Sequence, residues 1–334
     1  MQDICLGNCC FLCGARPETR TFNNEHVIPR WLLRRYDLFD KQITLPNGQV
    51  HTYGTYWVPC CEQCNSLLGR VVETPISELL DGGFEAITAR LTAETIRLLF
   101  AWLCLVFIKT HLKDRLLRAH LDPRQGDGKI ADNYNWPDLH HVHAVARSPI
   151  IGADLALGVI GSICFFELDD PTTFHNFDWI DLSNEQTVAL RIGNLGIVSV
   201  LNDAGASSHG LAGILKAITG PLTVIQLREV AARMAVANSD LENRPTFGTR
   251  ILNSRPERVE ILARHDARPN FAKFSPAKYG EALVHALREF VDHLDVDGDR
   301  DPECVRAHLQ TGQVSFLFDA GGVFMRKIVW ESRT

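Results

Sequence analysis

The feature that most constrains this chain is a pair of Cys-x-x-Cys motifs near its start. Cys10 and Cys13 form the first motif, and Cys61 and Cys64 form the second. Four thiolates in two such pairs are typical of a tetrahedral structural zinc site, which leaves no position open for substrate. Gly14 directly follows the first pair and permits the tight turn that a metal-binding knuckle needs. The motifs therefore predict that residues 1–76 fold as a small zinc-stapled finger.

The ligand register has an alternative, because Cys9 and Cys60 directly precede the two pairs. Each pair could be shifted by one residue, although the spacing favours Cys10 and Cys61. Cys104, Cys164 and Cys304 are isolated in sequence, and we expect them to behave as small buried hydrophobic residues. The first residues show no secretion signal, which predicts a reducing, cytoplasmic setting where clustered cysteines bind metal more often than they form disulfides.

Composition and charge limit the classes of function. The chain has 334 residues, of which 46% are hydrophobic and 22% charged, as expected of a globular protein with a substantial core. Its net charge of −6 argues against a broad phosphate-binding surface but leaves room for a local basic patch. The longest apolar run, 98–108, is too short to cross a bilayer, so we expect no membrane association.

The rest of the chain predicts a second, larger domain, so that the fold class is α+β: a finger followed by a mixed α/β domain over residues 77–334. Its segments are expected to be helical over 77–121, rich in strands over 139–264, and to contain a helix and a strand over 276–330. Within these segments, the patterns predict strands at 141–145, 155–168, 246–252 and 258–264, a hairpin turning at Gly193-Asn194, helices at 207–218, 223–238 and 276–294, and a last strand at 313–319 or beyond.

Between the cysteine pairs lies the string Asn24-Glu25-His26-Val27-Ile28-Pro29-Arg30-Trp31-Leu32. With the cysteine pairs on either side and Asn65 directly after the second pair, this order resembles the HNH endonucleases of the ββα-metal type. The resemblance covers about the first quarter of the chain. It implies a treble-clef-like finger in which the Glu-His pair lies on the first strand of a hairpin and the second cysteine pair opens a helix.

The resemblance also implies a chemistry. His26 would be the general base that takes a proton from the attacking water, a task that suits a largely neutral imidazole. Glu25 and Asn65 would hold a catalytic Mg²⁺ or Mn²⁺ beside the scissile phosphate, whereas the zinc would only stabilise the finger. The implied activity is metal-dependent cleavage of nucleic acid, of DNA in preference to RNA, and bacterial defence is a setting suggested by analogy alone.

Three arginines follow the Glu-His pair on a predicted short helix. Arg30 and Arg34 share one face at i, i+4 spacing, and together with Arg35 they are candidates for contacts with phosphates. The alternative is an ordinary solvated basic face on a helix that packs through Trp31 and Leu32.

One departure from the family pattern supports other interpretations. The family usually has an Asn some residues before the second cysteine pair, which orients the general base; here 54–59 contains none, and Thr55 or Tyr56 would have to replace it. A second hypothesis is therefore a non-catalytic finger that binds nucleic acid or a protein. A third is a different enzyme in residues 77–334, where we find no supporting motif, although that region could bind a protein partner. His140, His141 and His143 are interpreted as ordinary strand residues rather than metal ligands.

Overall fold

A computed structural model describes residues 2–45, 47, 49–169, 176–252 and 258–326. Its helices, in chain order, are α1 (Gln2–Cys5), α2 (Arg30–Arg35), α3 (Glu62–Leu68), α4 (Thr74–Leu79), α5 (Gly83–Arg90), α6 (Ala93–Asp114), α7 (His140–Ile151), α8 (Ala206–Gly210), α9 (Ala212–Ala217), α10 (Val224–Ser239), α11 (Pro276–Leu287) and α12 (Pro302–Gln310). Its strands are β1 (Phe22–His26), β2 (Gln42–Thr44), β3 (Val50–Thr52), β4 (Trp57–Cys61), β5 (Asp154–Leu155), β6 (Ile163–Glu167), β7 (Phe177–Leu182), β8 (Thr187–Ile192), β9 (Leu195–Val200), β10 (Thr246–Leu252) and β11 (Arg258–Arg264). The predicted α+β class is confirmed at this level.

The chain divides into two compact units. The first contains Met1–Asp81, Arg90–Ala156 and Phe247–Leu262, so the residues of the predicted finger share a unit with α6 and α7. The second contains Gly82–Ala89, Leu157–Thr246 and Ala263–Thr334.

In the first unit, β1 and β4 form an antiparallel hairpin, and β4 leads directly into α3. A π-helical turn, Gly69–Glu73, joins α3 to α4. The long helix α6 forms the core of the unit, and its first turn is closed by a capping box between Thr92 and Thr95.

Helix α6 is the one helix in the described ranges that is long and apolar enough to cross a membrane by length and composition. Within the protein, 72% of its most apolar stretch is buried, and a core helix meets the same criteria. It ends at Asp114, whereas the sequence predicted helix to about residue 121.

The second unit is built on a four-stranded antiparallel sheet in the order β6-β9-β8-β7. The predicted hairpin is confirmed: β8 and β9 are joined at Gly193-Asn194, where Gly193 has a φ of 59°. All residues of β8 and β9 are buried, and α10 packs on one face of these two strands. The predicted helix at 223–238 is α10. The predicted strands at 246–252 and 258–264 are β10 and β11, which form a three-stranded sheet in the order β10-β11-β5, and most residues of this sheet belong to the first unit.

Two predicted strands are wrong. Residues 141–145 lie in helix α7, where Val142, Val145 and Ala146 are all buried at helical spacing. A five-residue apolar alternation fits both periods, and burial along one helix face decides between them. The strand at 313–319 is absent from the described residues, because the amides of Phe316 and Leu317 donate to the Glu229 carboxylate instead of to a neighbouring strand. Residues 327–330 of that predicted segment lie outside the described residues.

Candidate metal centre and hairpin

The first cysteine pair lies in a compact turn. The amide of Gly14 donates to the Cys10 carbonyl at 2.8 Å, and Gly14 has a φ of 75°, in the left-handed region that favours glycine. The amide of Ala15 points to the Cys13 sulfur at 3.5 Å. A backbone amide directed at sulfur stabilises the thiolate form that metal binding requires.

The second pair lies where a strand becomes a helix. Cys61 ends β4 and occupies the N-cap position of α3, and Cys64 lies in the first turn of that helix. The amide of Glu62 donates to the Thr21 carbonyl at 3.0 Å, which ties this corner to the residue preceding β1.

The two pairs meet, as the spacing predicted. The sulfur atoms of Cys10, Cys13, Cys61 and Cys64 all lie within 4.8 Å of one another, and those of Cys13 and Cys61 are 3.7 Å apart. Zn–S bonds of about 2.3 Å in a tetrahedron place the sulfurs about 3.8 Å apart. The four-cysteine set therefore fits a structural zinc ion, both in distance and in its soft thiolate donors.

The alternative register is not the one found. The Cys9 thiol donates to the Ile4 carbonyl at 3.3 Å and is not in the group of four. Cys60 is buried with its sulfur 3.8 Å from that of Cys10, but it also lies outside the group.

Two supporting residues were not predicted. Arg20 places Nη1 at 3.8 Å from the Cys13 sulfur and at 3.9 Å from the Cys61 sulfur, which offsets thiolate charge. His143, interpreted from the sequence as an ordinary strand residue, lies on α7 with Nε2 2.8 Å from the Phe11 carbonyl inside the knuckle. Burial lowers the pKa of His143 to about 4, so its ring is neutral and donates from Nε2.

Glu25 and His26 occupy consecutive positions on β1, opposite Val58 and Trp57 of β4. Successive side chains of a strand point to opposite faces, so these two side chains leave the hairpin in different directions.

Glu25 is buried and ion-paired. Its Oε1 atom accepts a hydrogen bond at 2.7 Å from the ammonium of Lys109, a residue of α6 that is 0% exposed. The same ammonium donates to the His26 carbonyl at 2.7 Å and lies 3.6 Å from Oε1 of Glu73. We call Glu25, Glu73 and Lys109 the buried charge cluster.

The electrostatics of the cluster follow from burial and charge. Burial alone would lower the pKa of Lys109, but the charges of Glu25 and Glu73 outweigh it and the pKa is raised. Burial raises the pKa of Glu73 to about 7, against the lowering effect of Lys109. Lys109 is therefore a permanent cation, and Glu73 is the group of the cluster that titrates near neutral pH.

His26 is half-buried, with its ring edge-on to Phe39 at 6.2 Å between centroids. Burial is the main reason that its pKa is lowered, and the charge of Glu25 and a hydrogen bond to the Gly54 backbone act in the opposite direction. The predicted substitutes for the family's Asn have other contacts: the Thr55 hydroxyl donates to the Thr52 carbonyl at 3.0 Å, and the Tyr56 hydroxyl donates to Asp114 at 3.4 Å.

Asn65 lies on α3, and its side-chain amide donates to the Asn23 side chain at 2.8 Å. The structure therefore pairs Asn65 with Asn23 and Glu25 with Lys109. In the described part of the chain, the four cysteines are the only cluster of three or more Cys, His, Asp or Glu ligands. As arranged here, Glu25 and Asn65 do not fit a shared Mg²⁺ or Mn²⁺, because the Glu25 oxygen already binds an internal cation.

The three arginines differ in their surroundings. Arg35 pairs with Asp81 at 3.2 Å, and its guanidinium lies 5.1 Å from the ring centroid of Trp31. Arg30 and Arg34 are exposed on α2.

No protein-family model, curated protein or solved structure matches this chain. The likeness to HNH endonucleases therefore rests on the sequence motifs alone.

Proposed function

We propose that the N-terminal finger is a zinc-stapled module that binds nucleic acid and does not cleave it by a metal-dependent route. One observation carries this proposal: Glu25 is committed to a buried ion pair with Lys109, whereas Arg30 and Arg34 remain at the surface. The finger would keep the ββα arrangement of HNH endonucleases as a binding scaffold. In support, β1 carries the Glu-His pair, and β4 leads into the helix that carries Cys64 and Asn65.

Charge supports binding more strongly than the sequence suggested. Residues 1–76 contain seven basic and seven acidic side chains. One of these acidic charges is offset inside the protein, because Lys109, which comes from outside this segment, pairs with Glu25 and lies 3.6 Å from Glu73. Seven basic charges then stand against six acidic ones, so a local electropositive surface is compatible with the overall charge of −6.

The test is binding of fluorescent double-stranded DNA, single-stranded DNA and RNA of the same sequence, measured by anisotropy over a range of salt. Arg30→Ala and Arg34→Ala should each weaken binding, and each should reduce the slope of log affinity against log salt by about 1. Arg306→Ala, which removes a charge of the second unit, is the matched control and should leave the slope unchanged. The proposal would be refuted if the wild type bound no nucleic acid, or if all three variants had the same affinity.

A second candidate is hydrolysis with His26 as the general base. It is favoured by the lowered pKa of His26, which keeps the half-buried imidazole neutral and able to accept a proton from water at neutral pH. The test is incubation of supercoiled plasmid, single-stranded DNA and RNA with the zinc-loaded protein, with and without added Mg²⁺ or Mn²⁺. Cleavage by the wild type that is lost in His26→Ala would establish this candidate and overturn the proposal of binding alone. Binding without cleavage of any substrate would support the first proposal.

A further inference from the structure

The ammonium of Lys109 lies among three oxygen atoms that come from two other elements. Oε1 of Glu25 and the carbonyl oxygen of His26, both on β1, are 2.7 Å from Nζ, and Oε1 of Glu73, in the π-helical turn, is 3.6 Å away. The lysine side chain is 0% exposed, and those of Glu25 and Glu73 are 8% and 16% exposed.

Two carboxylates and a backbone carbonyl are the oxygen donors that a hard divalent ion binds in proteins. Here the distances of 2.7 Å are those of charge-assisted hydrogen bonds from an ammonium group. A bound Mg²⁺ would need oxygens at about 2.1 Å and would meet the lysine charge at close range. Because the Lys109 side chain is covalently attached to α6, its ammonium cannot diffuse away from the cluster as a free ion could.

We propose that Lys109 is a built-in substitute for a divalent cation in the finger. Its single positive charge offsets one of the two carboxylates without a second metal, and it ties β1 to α6 through the His26 carbonyl. Two consequences follow: the wild-type cluster does not bind Mg²⁺ or Mn²⁺, and removing the lysine side chain leaves an oxygen-lined site that does. The inference shares the Glu25–Lys109 ion pair with the proposed function, but its test measures metal binding, which can fail while nucleic-acid binding is retained.

The experiment compares zinc-loaded wild type, Lys109→Ala and Lys113→Ala. Lys113 is the matched control: it lies one turn further along α6 and is also buried, but its ammonium faces the rings of Tyr56 and Trp57. Mn²⁺ binding is measured from the loss of the free-ion signal in electron paramagnetic resonance, and zinc content is checked by elemental analysis.

We expect Lys109→Ala to bind a single Mn²⁺ ion at least about tenfold more tightly than the wild type, as a two-carboxylate oxygen site should. Its melting temperature should rise with added Mn²⁺. Lys113→Ala should behave like the wild type, and Lys109→Ala combined with Glu73→Gln should lose the gain. A folded Lys109→Ala that binds no more Mn²⁺ than wild type would overturn the inference.

The wild type also decides the question if Lys109→Ala does not fold. In that case, wild-type protein and Glu25→Gln are titrated with Mn²⁺ side by side. Equal, weak binding by both supports the inference, because Glu25 is then not available to a metal. Stoichiometric binding by the wild type that disappears in Glu25→Gln would overturn it, since the carboxylate would then bind metal despite the lysine.

Discussion

The ion pair between Glu25 and Lys109 should make a large and strongly coupled contribution to the stability of the first unit. At the N–O distance of 2.7 Å, the attraction at an effective dielectric constant of about 20 is about 6 kcal/mol. Desolvation of both ions offsets much of this, so removal of the pair is far less costly than removal of one partner. We expect Lys109→Met to cost about 3–5 kcal/mol, because it leaves two carboxylates in the interior without a cation.

Glu25→Gln should cost less, because Lys109 keeps Glu73 at 3.6 Å and the His26 carbonyl at 2.7 Å. The double variant should cost less than the sum of the single variants, with a coupling energy of about 2 kcal/mol or more. Lys113→Met is the control on the same helix, and it should show no coupling to Glu25→Gln.

The assay is native-state hydrogen exchange by mass spectrometry on zinc-loaded protein, followed for peptides of β1 and α6. This readout reports local opening and does not require the two units to unfold together. Single-variant costs that add in the double variant to within about 0.5 kcal/mol would show that the two side chains do not interact, and would refute the cluster.

Three further predictions concern the metal centre and the titration of the cluster. Cys64→Ser should lose zinc on dialysis against a weak chelator, whereas Cys60→Ser, which changes a buried cysteine outside the group of four, should keep it. The zinc-to-protein ratio of each variant is the measurement, and zinc loss from Cys60→Ser would contradict the ligand assignment. Arg20→Ala should release zinc to a chelating dye several-fold faster than the wild type, because the guanidinium no longer offsets thiolate charge. Glu73 has a pKa raised from 4.5 to about 7, so the stability that its protonated form contributes is complete below about pH 4.5 and is lost as the pH rises to about 7. Glu73→Gln should abolish this loss, so the free energy of unfolding of the variant minus that of the wild type should increase by up to about 3 kcal/mol between pH 4.5 and pH 7. A difference between the two urea midpoints that does not change with pH would contradict the raised pKa.

The four-cysteine group was the most predictable part of the molecule. Its four ligands lie in two short motifs, and a tetrahedral metal requires only that the motifs meet. The fold class and the hairpin at Gly193 could also be predicted, because a Gly-Asn turn lies between two segments rich in apolar residues there. Helix α7 could not be predicted from the alternation of residues 141–145, because the face that it buries is decided by packing against α6.

Local sequence patterns could not predict the buried charge cluster. Lys109 follows an apolar run within the predicted helix, where a lysine is usually solvated, yet its side chain is fully buried. Its partner Glu25 is 84 positions away in sequence. One sequence signal pointed to it: Leu105, Val106 and Leu112, one helical turn before or after Lys109, are all apolar. A cation on such an apolar helix face needs an acidic partner.

The buried charge cluster and the four-cysteine group lie at opposite ends of the β1–β4 hairpin. Phe22 lies opposite Cys61 at one end of the β1–β4 ladder, beside the four-cysteine group. His26 lies opposite Trp57 at the other end, where its carbonyl is bound by Lys109. A hairpin alone buries too little apolar surface to be stable. We expect the Lys109 hydrogen bond at one end and zinc bound by the cysteines at the other to supply the missing stability. Fraying at the His26 end should therefore respond to changes at Lys109, and fraying at the Phe22 end to zinc removal, so the two perturbations should expose different β1 amides to exchange.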